Sequence, residues 1–317
     1  MDILKIKNLN LYFALDTGRY RALYDVSLSL KKGNIHALVG ESGCGKSITA
    51  MSIIGLLPKN AFITSGEIIY NRKNLLKLKK SEIRKLRGAN IALIPQDPMV
   101  SLNPLYTVGN QILEVIRKDK SVTRNMAIQK AVEVLSMVKI PNPKEKLSTY
   151  PHELSGGMKQ RVIIAMALAT NADIIIADEP TTALDVTIQA QIMKILSDIK
   201  KEFGTTILLI SHDLGLVGSY ADEISVMYAG HIVEKASVDD FFKHTLHPYS
   251  KALLAALPIN CHDAKLKTID GQPPGIWEDI PGCRFSPRCE KSNSKICTVT
   301  PPLKDYGNNH NAACFMI

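Results

Sequence analysis

GESGCGKS, residues 40–47, fits the pattern GxxxxGK[ST] and decides the fold class. The run before it, IHALV at 35–39, is short and wholly apolar, which predicts a buried strand. The run after Lys46, SITAMSIIGLL, spaces its apolar residues as a helix does and stops near Pro58. A glycine-rich turn between a strand and a helix N-terminus is a phosphate cradle. Backbone N–H groups and the helix dipole hold anionic oxygens there. Lys46 reaches the β- and γ-phosphates of a nucleoside triphosphate, and Ser47 ligates Mg²⁺.

Residues 174–179 read IIIADE. Ile174, Ile175, Ile176 and Ala177 form an unbroken apolar run, the pattern of a central parallel strand buried on both faces. Asp178 and Glu179 emerge at its carboxyl end, where open α/β sheets place their ligands. One carboxylate serves the metal and the next polarises water: Asp178 is assigned to Mg²⁺ and Glu179 to the general base. Another apolar run, TTILLI at 205–210, ends in Ser211-His212-Asp213. His212 therefore also sits at a strand's carboxyl end, suited to a γ-phosphate contact. LSGGMKQR at 154–161 opens a further helix. Ser155 can cap it, and Gly156 and Gly157 let backbone approach an anion closely.

Length and composition bound the rest. A chain of 317 residues has room for a nucleotide-binding domain of about 235 residues plus a smaller appended one. It holds no run of 18 or more apolar residues, hence no expected membrane helix. The N-terminus, MDILKIKNLNLYF, mixes charges with apolar residues and lacks a secretory pattern, so a cytoplasmic chain is expected. The net charge is +9, yet no basic block or aromatic array points to nucleic acid. A mildly basic surface beside an anionic membrane face accounts for it. Between Gln96 and Leu154, VGNQILEVIRK and TRNMAIQKAVEVLSMV predict helices, and Pro141 and Pro143 break the pattern. Residues 185–203 predict an amphipathic helix with a stripe of Ile188, Ile192, Leu196, Ile199 and Phe203, ended by Gly204.

Beyond about residue 236 the character changes. HPYSKALLAALP at 247–258 predicts a short helix, and DGQPPGIWEDIPG follows, rich in Pro and Gly. Cys283, Cys289, Cys297 and Cys314 read C-x₅-C-x₇-C-x₁₆-C, a staple for a segment with little apolar core. A reducing cytoplasm disfavours disulfides. The spacing argues weakly for zinc and does not by itself identify an iron–sulfur cluster. Cys261 lies outside the array and reads as structural, while His262 and His310 read as solvated. Cys44 reads as a tolerated small side chain, although a thiol at a helix N-terminus has a lowered pKa.

Taken in this order, the motifs resemble the ABC-type ATPase family over residues 1–235. LSGGMKQR matches its signature, Asp178-Glu179 its Walker B end, and Thr182-Ala183-Leu184-Asp185 its D-loop. His212 matches its switch histidine, and Gln96, in LIPQDP, its Q-loop glutamine, a Mg²⁺ ligand. The resemblance implies a RecA-like core with an antiparallel β subdomain and a helical subdomain at about 97–157. It also implies ATP held by Gly40, Glu41, Ser42, Gly43, Cys44, Gly45, Lys46, Ser47 and Ile48. Each ATP would be sandwiched against Ser155, Gly156 and Gly157 of a partner chain. An aromatic about nine residues before Ala22 would stack on adenine. Phe13 is preferred to Tyr12 because Leu9, Leu11 and Phe13 alternate onto one strand face. The joint QDPMVSLNP at 96–104 would receive a helix of a transmembrane subunit. HPYSKALLAALP, GQPPG, GCRFSPRC and PPL resemble the C-terminal domain, here 236–317, of the ATPase subunits of peptide and nickel importers. There the four cysteines bind a [4Fe–4S] cluster. The expected partners are a homologous ATPase chain in a heterodimer, two permeases and an extracytoplasmic binding protein. The chain would then be peripheral on the cytoplasmic side of the cell membrane. An importer of nickel or a metal chelate is the alternative, and a non-transport ATPase acting on nucleic acid or ribosomes is a different class.

Overall fold

Ile35–Val39 is a strand with every residue buried, and it leads through the glycine turn into the helix Lys46–Ile54. The helix stops before Pro58. Gly55 turns left-handed (φ 63°), and its N–H returns to the Met51 and Ser52 carbonyls. The computed structural model describes residues 1–182, 184–257 and 268–317; Ala183, Cys261 and His262 lie outside the described residues. The chain divides into two compact units, Met1–Leu78 with Ile210–Ile317, and Lys79–Leu209. The boundary expected at 235/236 lies inside the first unit.

The first unit carries an antiparallel sheet in the order Gly18–Lys31, Asp2–Leu15, Ala61–Tyr70 and Lys73–Asn74. Its core face is made by Leu4, Ile6, Leu9, Leu11, Leu23, Val26, Leu28, Leu30 and Ile68, all buried. Each such side chain contributes roughly 1.5–3 kcal/mol by leaving water. The first strand is not a simple alternation. Its register shifts between Ile6 and Leu9, Leu9 and Leu11, and Leu11 and Tyr12. Bulges of this kind put Leu9, Asn10 and Leu11 all in the interior.

The same unit holds a second set of strands. Ile35–Val39 runs parallel to Glu223–Tyr228, with Val39 opposite Val226. Glu223–Tyr228 turns back into His231–Ser237, which pairs with Asn311–Ala312 from the end of the chain, and that pairs with Lys304–Asp305. The C-terminal segment has little apolar core of its own and borrows one. Phe285, 3% exposed, packs edge-on against Tyr228 at 5.1 Å and beside Tyr249 at 5.3 Å. Glu234 is fully buried at this seam. It accepts the N–H groups of Leu246 (2.8 Å) and His247 (2.9 Å) and pairs with His310 Nε2 at 2.7 Å. His310 is therefore a buried partner of Glu234 rather than a solvated side chain, because an unpaired carboxylate there would be costly.

In the second unit, Ile91–Ile94 runs parallel to Ile174–Asp178, pairing Ile91 with Ile174 and Ile94 with Ala177. The segment between them is helical, as expected. Val108–Ile116 is capped by Thr107, Arg124–Met137 by Thr123, and Gly156–Ala169 by Ser155. Ile112, Ala127, Ala131 and Leu135 are fully buried there. Pro143 occupies the first turn of a short helix, Pro143–Lys146, where its missing N–H costs nothing. Asp185 caps Val186–Phe203, and Gly204 ends it left-handed. The expected stripe holds at Ile192, Leu196 and Ile199, joined by Met193 and Ile195. Phe203, at the last turn, is 50% exposed and drops out of it. Among the described residues no helix is long and apolar enough to cross a membrane.

Candidate functional site

The phosphate loop belongs to the first unit. Gly40 has φ 153°, and a Cβ there would lie 2.1 Å from the Met227 carbonyl oxygen. The strand beside the loop thus excludes any side chain at this position. Lys46 is 4% exposed, and its Nζ donates to the carbonyls of Gly40 (2.8 Å) and Glu41 (3.0 Å). Its charge is held over the loop by these two carbonyls. Ser42 and Gly43 are exposed, whereas Glu41, Gly45, Ser47 and Ile48 are half-buried. Cys44 is buried, and burial pushes its thiol up despite the charge of Lys46 nearby. The lowering expected from the helix N-terminus is overridden by desolvation. His212 is exposed just beyond the strand Thr206–Ser211.

Phe13 is half-buried near the end of the first strand. The alternation used to prefer it over Tyr12 does not run through, because the register shifts between Leu11 and Tyr12. The neighbouring Tyr12 ring stacks on Phe62 at 6.1 Å.

The second unit holds the carboxylates and the signature segment. Asp178, 3% exposed, closes the buried strand Ile174–Asp178. Glu179 follows with φ 46°, a left-handed conformation that a non-glycine residue adopts at a cost. Two donors converge on its Oε2: the Gln96 amide at 3.1 Å and the Thr182 hydroxyl at 2.9 Å. The structure therefore brings Gln96 and Glu179 into contact. It adds Thr182, whose position three residues on from Glu179 was the available signal. Two donors on one oxygen fix the carboxylate's orientation.

Ser155 accepts the Met158 N–H at 3.4 Å, a serine N-cap, and is itself exposed. Gly157 has a packing reason. A Cβ there would meet Ile188 Cγ2 at 2.8 Å. The glycine lets the signature helix lie close against the helix Val186–Phe203.

The four cysteines gather in the first unit as half-buried free thiols. The Cys283 N–H donates to the Cys297 carbonyl at 2.9 Å. Each sulfur also meets a backbone N–H. Asn293 donates to Cys297 Sγ at 3.5 Å and Met316 to Cys314 Sγ at 3.3 Å, with Phe285 and Lys291 serving Cys283 and Cys289. Burial, with the charges of the other three sulfurs, pushes the Cys283 thiol up to about 11; burial likewise raises Cys289. Sulfurs supplied with N–H donors have the ligand chemistry of a thiolate-bound group, but among the described residues no group of three or more Cys, His, Asp or Glu is placed to hold a metal ion.

With this geometry in place, comparison with known proteins is direct. The ABC transporter family profile matches residues 23–182. The profile of the oligopeptide/dipeptide transporter C-terminal region matches 233–297, which includes three of the four cysteines. The chain is 44% identical over 316 residues to the dipeptide transport ATP-binding protein DppD of Bacillus subtilis (strain 168), covering 99% of this chain and 94% of that one. It is 43% identical over 314 residues to the oligopeptide transport ATP-binding protein OppD of Escherichia coli (strain K12), covering 99% and 93%. Among solved structures it is similar to the ATP-binding cassette MJ0796 in a dimeric post-hydrolysis state bound to ADP and Pi. That match has a TM-score of 0.66 and 30% identity, covering 74% of this chain and 98% of that one. The cbiO1 protein of Clostridium perfringens, part of an ABC transporter complex, matches with a TM-score of 0.67 and 28% identity, covering 77% and 91%.

Proposed function

We propose, because this chain belongs to the ABC transporter family, that it is the ATP-hydrolysing subunit that powers import of dipeptides or oligopeptides. One observation carries the hydrolytic reading: Glu179, strained at φ 46° and held by Gln96 and Thr182, follows a buried Asp178 at the end of an apolar strand. Lys46 takes the β- and γ-phosphates in place of its loop carbonyls. Ser47 in the first unit, and Asp178 and Gln96 in the second, are the residues that would serve Mg²⁺, which would supply neutralisation of charge developing on the phosphates. Glu179 receives a proton from water, the water oxygen bonds to the γ-phosphorus, and the bond to the ADP oxygen breaks. ATP and water become ADP and phosphate, and His212 contacts the γ-phosphoryl group. Phe13 stacks on adenine. Ser155, Gly156 and Gly157 serve the ATP held by a partner ATPase chain, so ATP favours the closed pair and hydrolysis releases it.

In this reading the chain sits at the cytoplasmic face of a membrane against two permeases, with a binding protein outside and a second, homologous ATPase chain. Cys283, Cys289, Cys297 and Cys314 would hold a [4Fe–4S] cluster, with one zinc ion as the alternative. The cluster staples the segment, since ATP hydrolysis needs no electron transfer. The peptide cargo rests on the transport roles named for the relatives. Its test is ATP hydrolysis by the assembled transporter with its binding protein loaded with defined peptides. Peptide-stimulated turnover is expected. Stimulation by a nickel chelate with no response to peptides would replace the cargo while leaving the ATPase.

A further inference from the structure

Glu41, second residue of the phosphate loop, is gripped by residues that follow the parallel-strand core by a long stretch of chain. Arg288 forms a two-pronged ion pair with it, Nη1 to Oε2 at 2.7 Å and Nη2 to Oε1 at 3.0 Å. The Arg288 side chain is 6% exposed and that of Glu41 24%. Paired N–H groups on a carboxylate, half withdrawn from water, are a strong and directional contact. The guanidinium is itself held: Nε donates to the Asp270 carbonyl at 2.9 Å, and Nη1 to the Tyr228 hydroxyl at 3.3 Å. The backbone of Glu41 is also taken. Its N–H donates to the Tyr249 hydroxyl at 2.9 Å, and its carbonyl accepts from Lys46 Nζ at 3.0 Å. Arg288, Tyr249 and Glu41 all lie in the first unit.

We propose that Arg288 is a positioning residue for the phosphate loop, so that the C-terminal cysteine segment sets nucleotide affinity. When phosphate draws Lys46 away from the Gly40 and Glu41 carbonyls, the loop loses one of its own internal ties. Arg288 on the carboxylate and Tyr249 on the N–H then keep position 41 in place. Their contribution is therefore larger with nucleotide bound than without it, which is the condition for an effect on affinity. Arg288 closes the turn Ser286–Arg288, which is flanked by Cys283 and Cys289. Whatever fixes those two sulfurs also fixes the reach of this guanidinium.

The test uses the full chain and Mg-ATP, with binding measured by calorimetry and turnover in the assembled transporter. Arg288→Ala is expected to weaken ATP binding roughly tenfold, within the range of coupling between linked sites. KM should rise and kcat should change little. Arg288→Lys, which keeps the charge and loses the fork, should recover part of the affinity. Glu41→Gln should lose about as much as Arg288→Ala, and the double variant no more than either single one. Amide exchange at residues 40–47 in the nucleotide-bound state should quicken in Arg288→Ala. Unchanged ATP affinity in folded Arg288→Ala, losses that add in the double variant, or a fall in kcat at constant KM would each overturn the assignment. If Arg288→Ala fails to fold, Arg288→Lys and Glu41→Gln decide the matter: wild-type affinity in both overturns it.

Discussion

Glu179 is held by neighbours that can be removed one atom at a time. Glu179→Gln keeps the shape and the φ 46° backbone but cannot take a proton. Turnover is expected to fall about 10²- to 10⁴-fold, the usual share of a general base, with ATP binding intact. Wild-type turnover of the assembled transporter carrying this change would remove Glu179 from the base role. Thr182→Val deletes one of the two donors on Oε2. One hydrogen bond to a charged group contributes on the order of 1.5 kcal/mol, so kcat should drop roughly tenfold with little change in KM. A rise in KM alone would show that Thr182 serves binding and not the base. Lys46→Ala acts on the other half of the chemistry and should weaken nucleotide binding itself, visible directly by calorimetry.

At the scale of elements, the helix Pro248–Ala255 ties the C-terminal segment down through a histidine. His247 is 1% exposed, its Nδ1 accepts the Tyr249 N–H at 3.1 Å, and it bonds the Ala313 backbone. Burial holds it at about 4, against the bond to Ala313, which acts the other way. The folded chain therefore keeps His247 neutral down to about 4, while the unfolded imidazole takes a proton near 6.5. Between those values the unfolded state binds more protons, so stability falls as pH drops through this window, by up to about 3 kcal/mol. His231, pushed down to about 4 by burial and then by the charges of Arg284 and Arg21, adds in the same direction. Thermal unfolding from pH 7 to 4 should show the decline, and His247→Asn, which retains an acceptor for the Tyr249 N–H, should flatten it. An unchanged slope in that variant would locate the acid sensitivity elsewhere. The strand–turn–helix around Gly40 and the capped helices from Thr107, Thr123 and Asp185 were legible in the sequence because short-range spacing determines them. The grip of Arg288 on Glu41 was not, since the partners are 247 positions apart and only folding brings them together. Phe13 was argued from an alternation that the bulges break, and Cys44 from a dipole that burial outweighs.

In the proposed pair of ATPase chains, the signature would serve the partner's ATP. Ser155 is an exposed cap, so Ser155→Arg should leave ATP binding to the isolated chain intact and block closure of the pair. Loss of ATP affinity in the lone chain as large as that of Lys46→Ala would show that Ser155 acts within its own subunit. The cysteine segment predicts colour. Anaerobically purified protein should be brown, with about four iron and four acid-labile sulfide per chain. Cys283→Ser should bleach it and quicken amide exchange beyond residue 268, leaving the strands around the phosphate loop protected. Colourless protein with one zinc, after supply of iron and sulfide, would exchange one metal for the other. Buried Glu234 joins the middle of the strand His231–Ser237, the start of the Pro248 helix and the tail at His310 on a single carboxylate. That feature constrains how such a chain can diverge over time. A substitution at Glu234 alone strands a histidine and two N–H groups, and one at His310 alone leaves the carboxylate short of a partner. Positions 234 and 310 should therefore drift as a pair, the seam changing by paired steps while the surface around it changes freely.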